Sequence, residues 1–186
     1  CENQVLKGTS ATQGIELSVR ADRKKWQYWL SYHKSSSTMT FAGLNEGLTF
    51  VSRFDRPLQI NAGVLYKNDR GWRIGANWVY TSGQPFTLAD EKVTFYSGLD
   101  TIGITLVQTG KKNNYRMPHF HQLTVNASYD FKVKDIKCTV SFGVFNAYNR
   151  LNSYFIYASR TDASSTIFKK VSLFPILPQL SMRMLW

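Results

Sequence analysis

Gln122-Leu-Thr-Val-Asn-Ala-Ser-Tyr-Asp-Phe-Lys132 is the stretch that decides the fold class. Leu123, Val125, Ala127, Tyr129 and Phe131 alternate with Gln122, Thr124, Asn126, Ser128, Asp130 and Lys132. A period of two sends the two sets to opposite faces of a β-strand. The same alternation recurs in six further stretches. Their apolar sets are Ile15, Leu17, Val19, Ala21; Trp26, Tyr28, Leu30, Tyr32; and Leu58, Ile60, Ala62, Val64, Tyr66. The others are Trp72, Ile74, Ala76, Trp78, Tyr80; Ile136, Cys138, Val140, Phe142, Val144; and Leu180, Met182, Met184, Trp186. Trp29 breaks the pattern, an aromatic in the polar phase. Seven strands without an amphipathic helix predict an all-β fold.

Composition narrows the class. The 186 residues carry 23 Lys+Arg against 12 Asp+Glu, a formal charge of +11, with 43% hydrophobic and 15% aromatic residues. That apolar load excludes an intrinsically disordered chain. No run approaches the roughly 18 consecutive apolar residues of a membrane-spanning helix, so a helical membrane protein is excluded and a β-barrel one is not. No basic-then-apolar leader opens the chain, and any export signal is expected to lie outside it. Cys1 and Cys138 are too few for a disulfide framework.

The connections between strands alternate in length. Asp22–Lys25, Asn68–Gly71 and Val133–Asp135 read as hairpin turns. Lys34–Pro57, Ser82–Phe120 and roughly Arg150–Lys170 are long, beyond the 12–15 residues or so usual for loops of compact domains. Short turns at one end of every hairpin and long loops at the other match the plan of outer-membrane barrels, with short periplasmic turns and long extracellular loops. Aromatics stand at or near the ends of several apolar sets: Trp26 and Tyr32, Trp72 and Tyr80, Tyr129 and Phe131. Bilayer interfaces favour such rings. The opposite phase, rich in Gln, Asn, Ser, Thr and Gly, suits a wet interior. The final strand, with Leu180, Met182, Met184 and Trp186 in phase, is expected to act as an outer-membrane insertion signal.

Four segments resemble the C-terminal part of a TonB-dependent outer-membrane receptor of the Bacteroidetes type. They are Gly14-Ile-Glu-Leu17, Asn113-Asn-Tyr-Arg-Met-Pro118, Phe145-Asn-Ala-Tyr-Asn-Arg-Leu-Asn152 and Leu173-Phe-Pro-Ile-Leu-Pro178. They are similar to the family's G-x-E-L, N-x-Y-R-L-P, N-x-Y-N-R-x-N and F-P-x-x-P segments, in the same order. His119, Gln122 and Thr124 stand where the family often has Pro, Arg and Asp. The resemblance implies an antiparallel transmembrane barrel segment, about seven strands of a larger barrel of the roughly 22-stranded type. It implies a surface-loop remnant over 1–13 and barrel over 14–186, with the plug domain absent. Single-chain bacterial barrels have even strand counts, so the remaining strands and plug are expected from another chain or a missing segment. Membrane lipid, the TonB system indirectly and a surface lipoprotein lid are the other partners implied. The location implied is the outer membrane of a Gram-negative cell.

Residues with chemical potential point elsewhere only weakly. Cys1 admits an acylated-lipoprotein reading, but a chain boundary inside a loop is favoured. Cys138 reads as small lipid-facing filler. His119 and His121 share one strand face and could both ligate a metal, but no Cys or carboxylate completes a set, and a solvated rim pair is favoured, so no metal and no cofactor is expected. Arg20, Arg23, Lys24, Lys25, Lys67, Arg70, Arg73, Lys132, Lys134 and Lys137 group near the short turns. Recurring once per hairpin, they suit lipid headgroups or solvated turns better than nucleic acid. The loop aromatics Phe41, Phe50, Phe54, Phe86, Phe95, Tyr96, Tyr154, Phe155 and Tyr157 suit ligand capture or loop packing, and none is singled out as a site. No catalytic arrangement is present, and an enzyme is not expected. The leading expectation is a barrel-wall portion of a receptor importing a nutrient such as a siderophore, glycan or peptide. The rivals are a receptor-like barrel subunit with a structural or assembly role, and a soluble β-sandwich binding module.

Overall fold

The computed structural model describes residues 6–87, 89–96, 103–109, 111–160 and 166–186, with the backbone alone described at 89–96, 103–109, 158–160 and 166–167. Cys1 and the side chains of Phe95 and Tyr96 therefore lie outside what is described. The fold is all-β. In chain order the strands are β1 (Gly8–Arg23), β2 (Trp26–Phe41), β3 (Phe50–Val51), β4 (Leu58–Lys67) and β5 (Trp72–Thr81). Then come β6 (Pro85–Phe86), β7 (Ala89–Tyr96), β8 (Gly103–Thr109), β9 (Tyr115–Arg116) and β10 (Phe120–Val133). The last are β11 (Ile136–Phe145), β12 (Ser153–Arg160), β13 (Thr166–Ser172) and β14 (Leu177–Leu185). A three-residue 3-10 turn, Asn45–Gly47, is the remaining element.

Eight strands form one antiparallel sheet in the order β1-β2-β4-β5-β10-β11-β14, with β3 added against β2. The seven strands on the main path are the seven that the alternation predicts. β1 begins at Gly8, ahead of the Gly14 at which loop was expected to give way to strand. Among the described residues the sheet does not close on itself: β1 and β14 are its edges.

The three short connections hold the hairpins through local chemistry. Lys24 and Lys134 adopt positive φ (46° and 55°) in their turns, as hairpin turns matched to strand twist require. In the third, the Asn68 side chain accepts from the amides of Arg70 (3.0 Å) and Trp72 (2.9 Å), the local bonding that makes Asn a turn residue. Gly71 follows at φ 86°, where a Cβ would strike the Asp130 carbonyl.

The chain divides into two compact units. One holds Ile15–Lys34, Pro57–Ser82 and Pro118–Trp186; the other holds the chain up to Gly14, Ser35–Arg56 and Gly83–Met117. The second unit thus collects two of the three long connections. The long connections are not structureless: β7 pairs with β8, β6 with β9, and β12 with β13 as two-stranded ribbons. The alternation missed these ribbons because they are short or lack a one-sided apolar face.

The sheet has no conventional core. Of the described Ala, Val, Ile, Leu, Met, Phe, Trp, Tyr and Cys residues only Cys138 is buried. The other buried side chains include Ser52, Asp55, Thr81, Ser82, Asn146 and Asn152. Among the described residues, strands in extensive contact are hydrogen-bonded neighbours of the same sheet or ribbon.

Candidate functional site

Strand register builds two contrasting faces within the sheet. Tyr32, Leu30, Tyr28 and Trp26 on β2 stand opposite Ile60, Ala62, Val64 and Tyr66 on β4. Those in turn face Tyr80, Trp78, Ala76 and Ile74 on β5. Across the next junction Tyr80, Trp78, Ala76, Ile74 and Trp72 meet His121, Leu123, Val125, Ala127 and Tyr129 on β10. Val125, Ala127, Tyr129 and Phe131 meet Val144, Phe142, Val140 and Cys138 on β11. Phe142, Val140 and Cys138 meet Leu180, Met182 and Met184 on β14. The apolar sets therefore merge into one continuous face six strands wide, because a one-residue slip at any junction would put polar groups into it. Much of this face is open: Trp26, Tyr28, Leu30, Trp72, Ile74, Phe142, Leu180, Met182 and Met184 are all exposed.

Aromatic rings gather toward both ends of the face. Near the short turns, Trp26 packs on Tyr66 at 4.7 Å and Trp72 on Tyr129 at 4.8 Å between ring centroids, with Phe131 stacked beyond at 6.0 Å. At the other end Tyr80 stacks on Trp78 (6.0 Å) and His119 (5.6 Å).

The reverse face is polar and internally bonded. Arg73 forms an ion pair with Asp130 at 2.6 Å and donates from Nε to Ser128 at 3.1 Å. Thr139 donates to the same Asp130 oxygen at 2.8 Å, so Arg73, Asp130 and Thr139 satisfy one another. A depression of about 760 Å³ nearby is lined by Arg73, Asp130, Thr139, Ser141, Ser181 and Arg183, among others. Trp29 lies on this face, opposite Gly63. Its indole N–H donates to Asn77 Oδ1 at 3.0 Å and Asn61 Oδ1 at 3.3 Å.

The sequence segments singled out earlier end strands and tie down loops. Asn146, 1% exposed, adopts φ 53° and uses its whole amide. Its Nδ2 donates to the Arg150 and Phe174 carbonyls (2.9 and 3.1 Å) while Oδ1 accepts from the Arg150 amide (3.0 Å). Asn152 pairs with both backbone groups of His121, donating at 2.9 Å and accepting at 3.2 Å, as a neighbouring strand would. Asn149 Oδ1 accepts from the Ile176 amide at 2.9 Å. In the second unit, Arg116 Nη2 meets Asp55 Oδ2 at 2.7 Å, and its Nη1 donates to the carbonyls of Asp55 and Gly83. Asn113 Nδ2 donates to the Val51 carbonyl at 2.7 Å. Asp55 carried no local signal in the sequence, since its partner is 61 residues away.

Other candidates are distributed rather than convergent. Among the described residues no three of His, Cys, Asp and Glu gather as a metal-binding set. His121 Nδ1 shares a 2.7 Å hydrogen bond with the Tyr148 hydroxyl, while His33, in the polar phase of β2, meets Gln59 at 3.3 Å. Cys138, expected as small lipid-facing filler, lies in the apolar row between Phe131 and Met184 and is 4% exposed, covered by its neighbours. Of the expected insertion signal, Leu180, Met182 and Met184 share the apolar face of β14, and Trp186 follows its last strand residue. Of the basic turn residues, Lys25 pairs with Asp69 of the β4–β5 turn at 2.7 Å. That pairing raises the lysine pKa and lowers the carboxyl's, through the hydrogen bond first and the charge second. No helix among the described residues is long and apolar enough to cross a membrane. No family model, no curated protein and no solved structure matches the chain.

Proposed function

We propose that this chain supplies wall strands to an outer-membrane β-barrel of the TonB-dependent receptor type, which imports a nutrient. One observation carries the reading: a continuous apolar face, six strands wide, stands open while among the described residues almost no apolar side chain is buried. In water such a face would be an aggregation surface far larger than monomers expose; against lipid tails it is at home. Its dimensions agree. The ten-residue strands β4, β5 and β11 extend about 34 Å at ~3.4 Å per residue. A tilt of about 40° brings that to roughly 26 Å, close to the ~25 Å apolar band of such barrels. Aromatic pairs at the two ends fall where headgroups begin.

In this reading the chain's part is passive. The wall encloses a hydrated path, the long connections help to capture the nutrient, and TonB acts on a plug elsewhere. The edges β1 and β14 take further strands, because each unpaired backbone group in hydrocarbon costs several kcal/mol. Seven strands lie on the main path, so closure with an even count needs an odd number more.

Site-directed labelling tests the orientation. Single cysteines placed at Leu30, Ala76 and Val125 in a background with Cys1→Ala and Cys138→Ala should resist a water-soluble maleimide in membranes, and attached fluorophores should be quenched by brominated lipid. Cysteines at Ser31, Thr124 and Ser141 should label. Equal labelling of both sets, or recovery of the protein without detergent, would overturn the assignment.

A further inference from the structure

The geometry points to a carbohydrate-binding platform on the polar face, with the Trp29 indole as its floor and Asn61 and Asn77 as its rim. Trp29 is an aromatic in a polar row, and nothing in the wall reading calls for it there. Its neighbours in register are Gly63 on β4 and, one strand further, Asn77 on β5. A Cβ at position 63 would collide with the carbons of the Trp29 indole, so the ring closes on the glycine backbone and part of it is covered there. The ring N–H bonds to Asn77 and Asn61 fix its rotation. Trp29 remains only half-buried, so part of the ring stays open.

That arrangement suits a pyranose. The C–H face of a sugar is apolar and slightly positive, complementary to the negative face of an aromatic ring. Its rim of hydroxyls both donates and accepts. Asn61 and Asn77 each keep two N–H donors beyond the carbonyl oxygens that Trp29 uses. Ser31, opposite Asn61, and Thr124, opposite Asn77, add hydroxyls within the same rows. A rigid aromatic floor already oriented by its own hydrogen bonds loses little entropy on binding. The nearby cation Arg20 is paired with Asp22 at 3.5 Å, and the Arg73 charge is met by Asp130, which favours a neutral sugar over an anionic one. The inference rests on the transporter reading, since it makes a neutral glycan the nutrient and the polar face its path.

The test uses the full-length protein carrying this chain, purified in detergent. It is titrated by calorimetry with maltohexaose, cellohexaose and mannohexaose, and hydroxyl-radical footprinting is run on the same samples. At least one sugar should bind and shield Trp29 from oxidation. Trp29→Ala should weaken that binding about tenfold and Trp29→Phe about threefold or less, the size of a stacking contact. Gly63→Ala, which displaces the indole, should behave like Trp29→Ala. Footprinting of the unaltered protein decides the matter even if a variant does not fold. Binding of none of the three sugars, or binding that leaves Trp29 as reactive as before, overturns the platform. The maleimide pattern above is independent of sugar, so a barrel with the correct orientation and no sugar binding sinks this inference alone.

Discussion

Arg116 closes on Asp55 at 2.7 Å, and the carboxylate it meets is 4% exposed. The same carboxylate accepts the Ser37 amide at 2.7 Å, so one buried acid joins three chain segments within the second unit. Removing the guanidinium strands a buried charge, whereas neutralising the acid leaves an acceptor for Ser37. Arg116→Met should therefore cost about 3 kcal/mol or more, and Asp55→Asn distinctly less. Native-state hydrogen exchange at the Ser37 amide would read both. Equal protection in the two variants would show that the pair is not what holds these segments.

Asn146 combines burial, three hydrogen bonds and a left-handed backbone. Asn146→Ala should lower stability by about 2–4 kcal/mol, from unpaired backbone groups and from a conformation unfavourable to alanine. Asn146→Gly should recover roughly 1 kcal/mol of that, the conformational part alone. Thermal unfolding in detergent followed by circular dichroism gives the order; a glycine variant no better than alanine would assign the whole loss to the bonds.

Val140 and Ser141 are adjacent on β11 and point to opposite faces. In the proposed lipid-facing orientation, Val140→Arg should destabilise the fold by about 2–4 kcal/mol, the cost of an arginine at the bilayer midplane. Ser141→Arg, on the polar face, should fold nearly as well as the parent. Urea-dependent folding into vesicles compares them, and similar losses would contradict the lipid-facing assignment of the apolar row.

Lys25 and Asp69 tie two neighbouring turns. Because the lysine pKa is raised, its contribution is complete below the ordinary lysine range and is lost as pH climbs through the raised value. Because the carboxyl pKa is lowered, its contribution is complete above the ordinary aspartate range and is lost as pH falls through the lowered value. The tie thus spans neutral pH and fails at both extremes. Lys25→Met should return the Asp69 carboxyl to its usual titration range in an NMR pH series, with little change in overall stability, since both groups are solvent-exposed. An unmoved Asp69 titration would dissociate the shift from this pair.

Alternation along single strands sufficed to find every strand on the main path and to assign each side chain to a face, because side-chain direction in a strand depends only on residue parity. It also located the hairpin turns, whose residues act on their own backbone, as Asn68 does. Parity says nothing about partners distant in sequence. That Arg116 meets Asp55, that Asn152 stands in for a strand beside His121, and that Cys138 is covered rather than open depend on which strands become neighbours. Trp29 shows both halves: its misplaced phase is written in the chain, but the reason, a glycine opposite and two asparagines within reach, exists only once β2, β4 and β5 lie side by side.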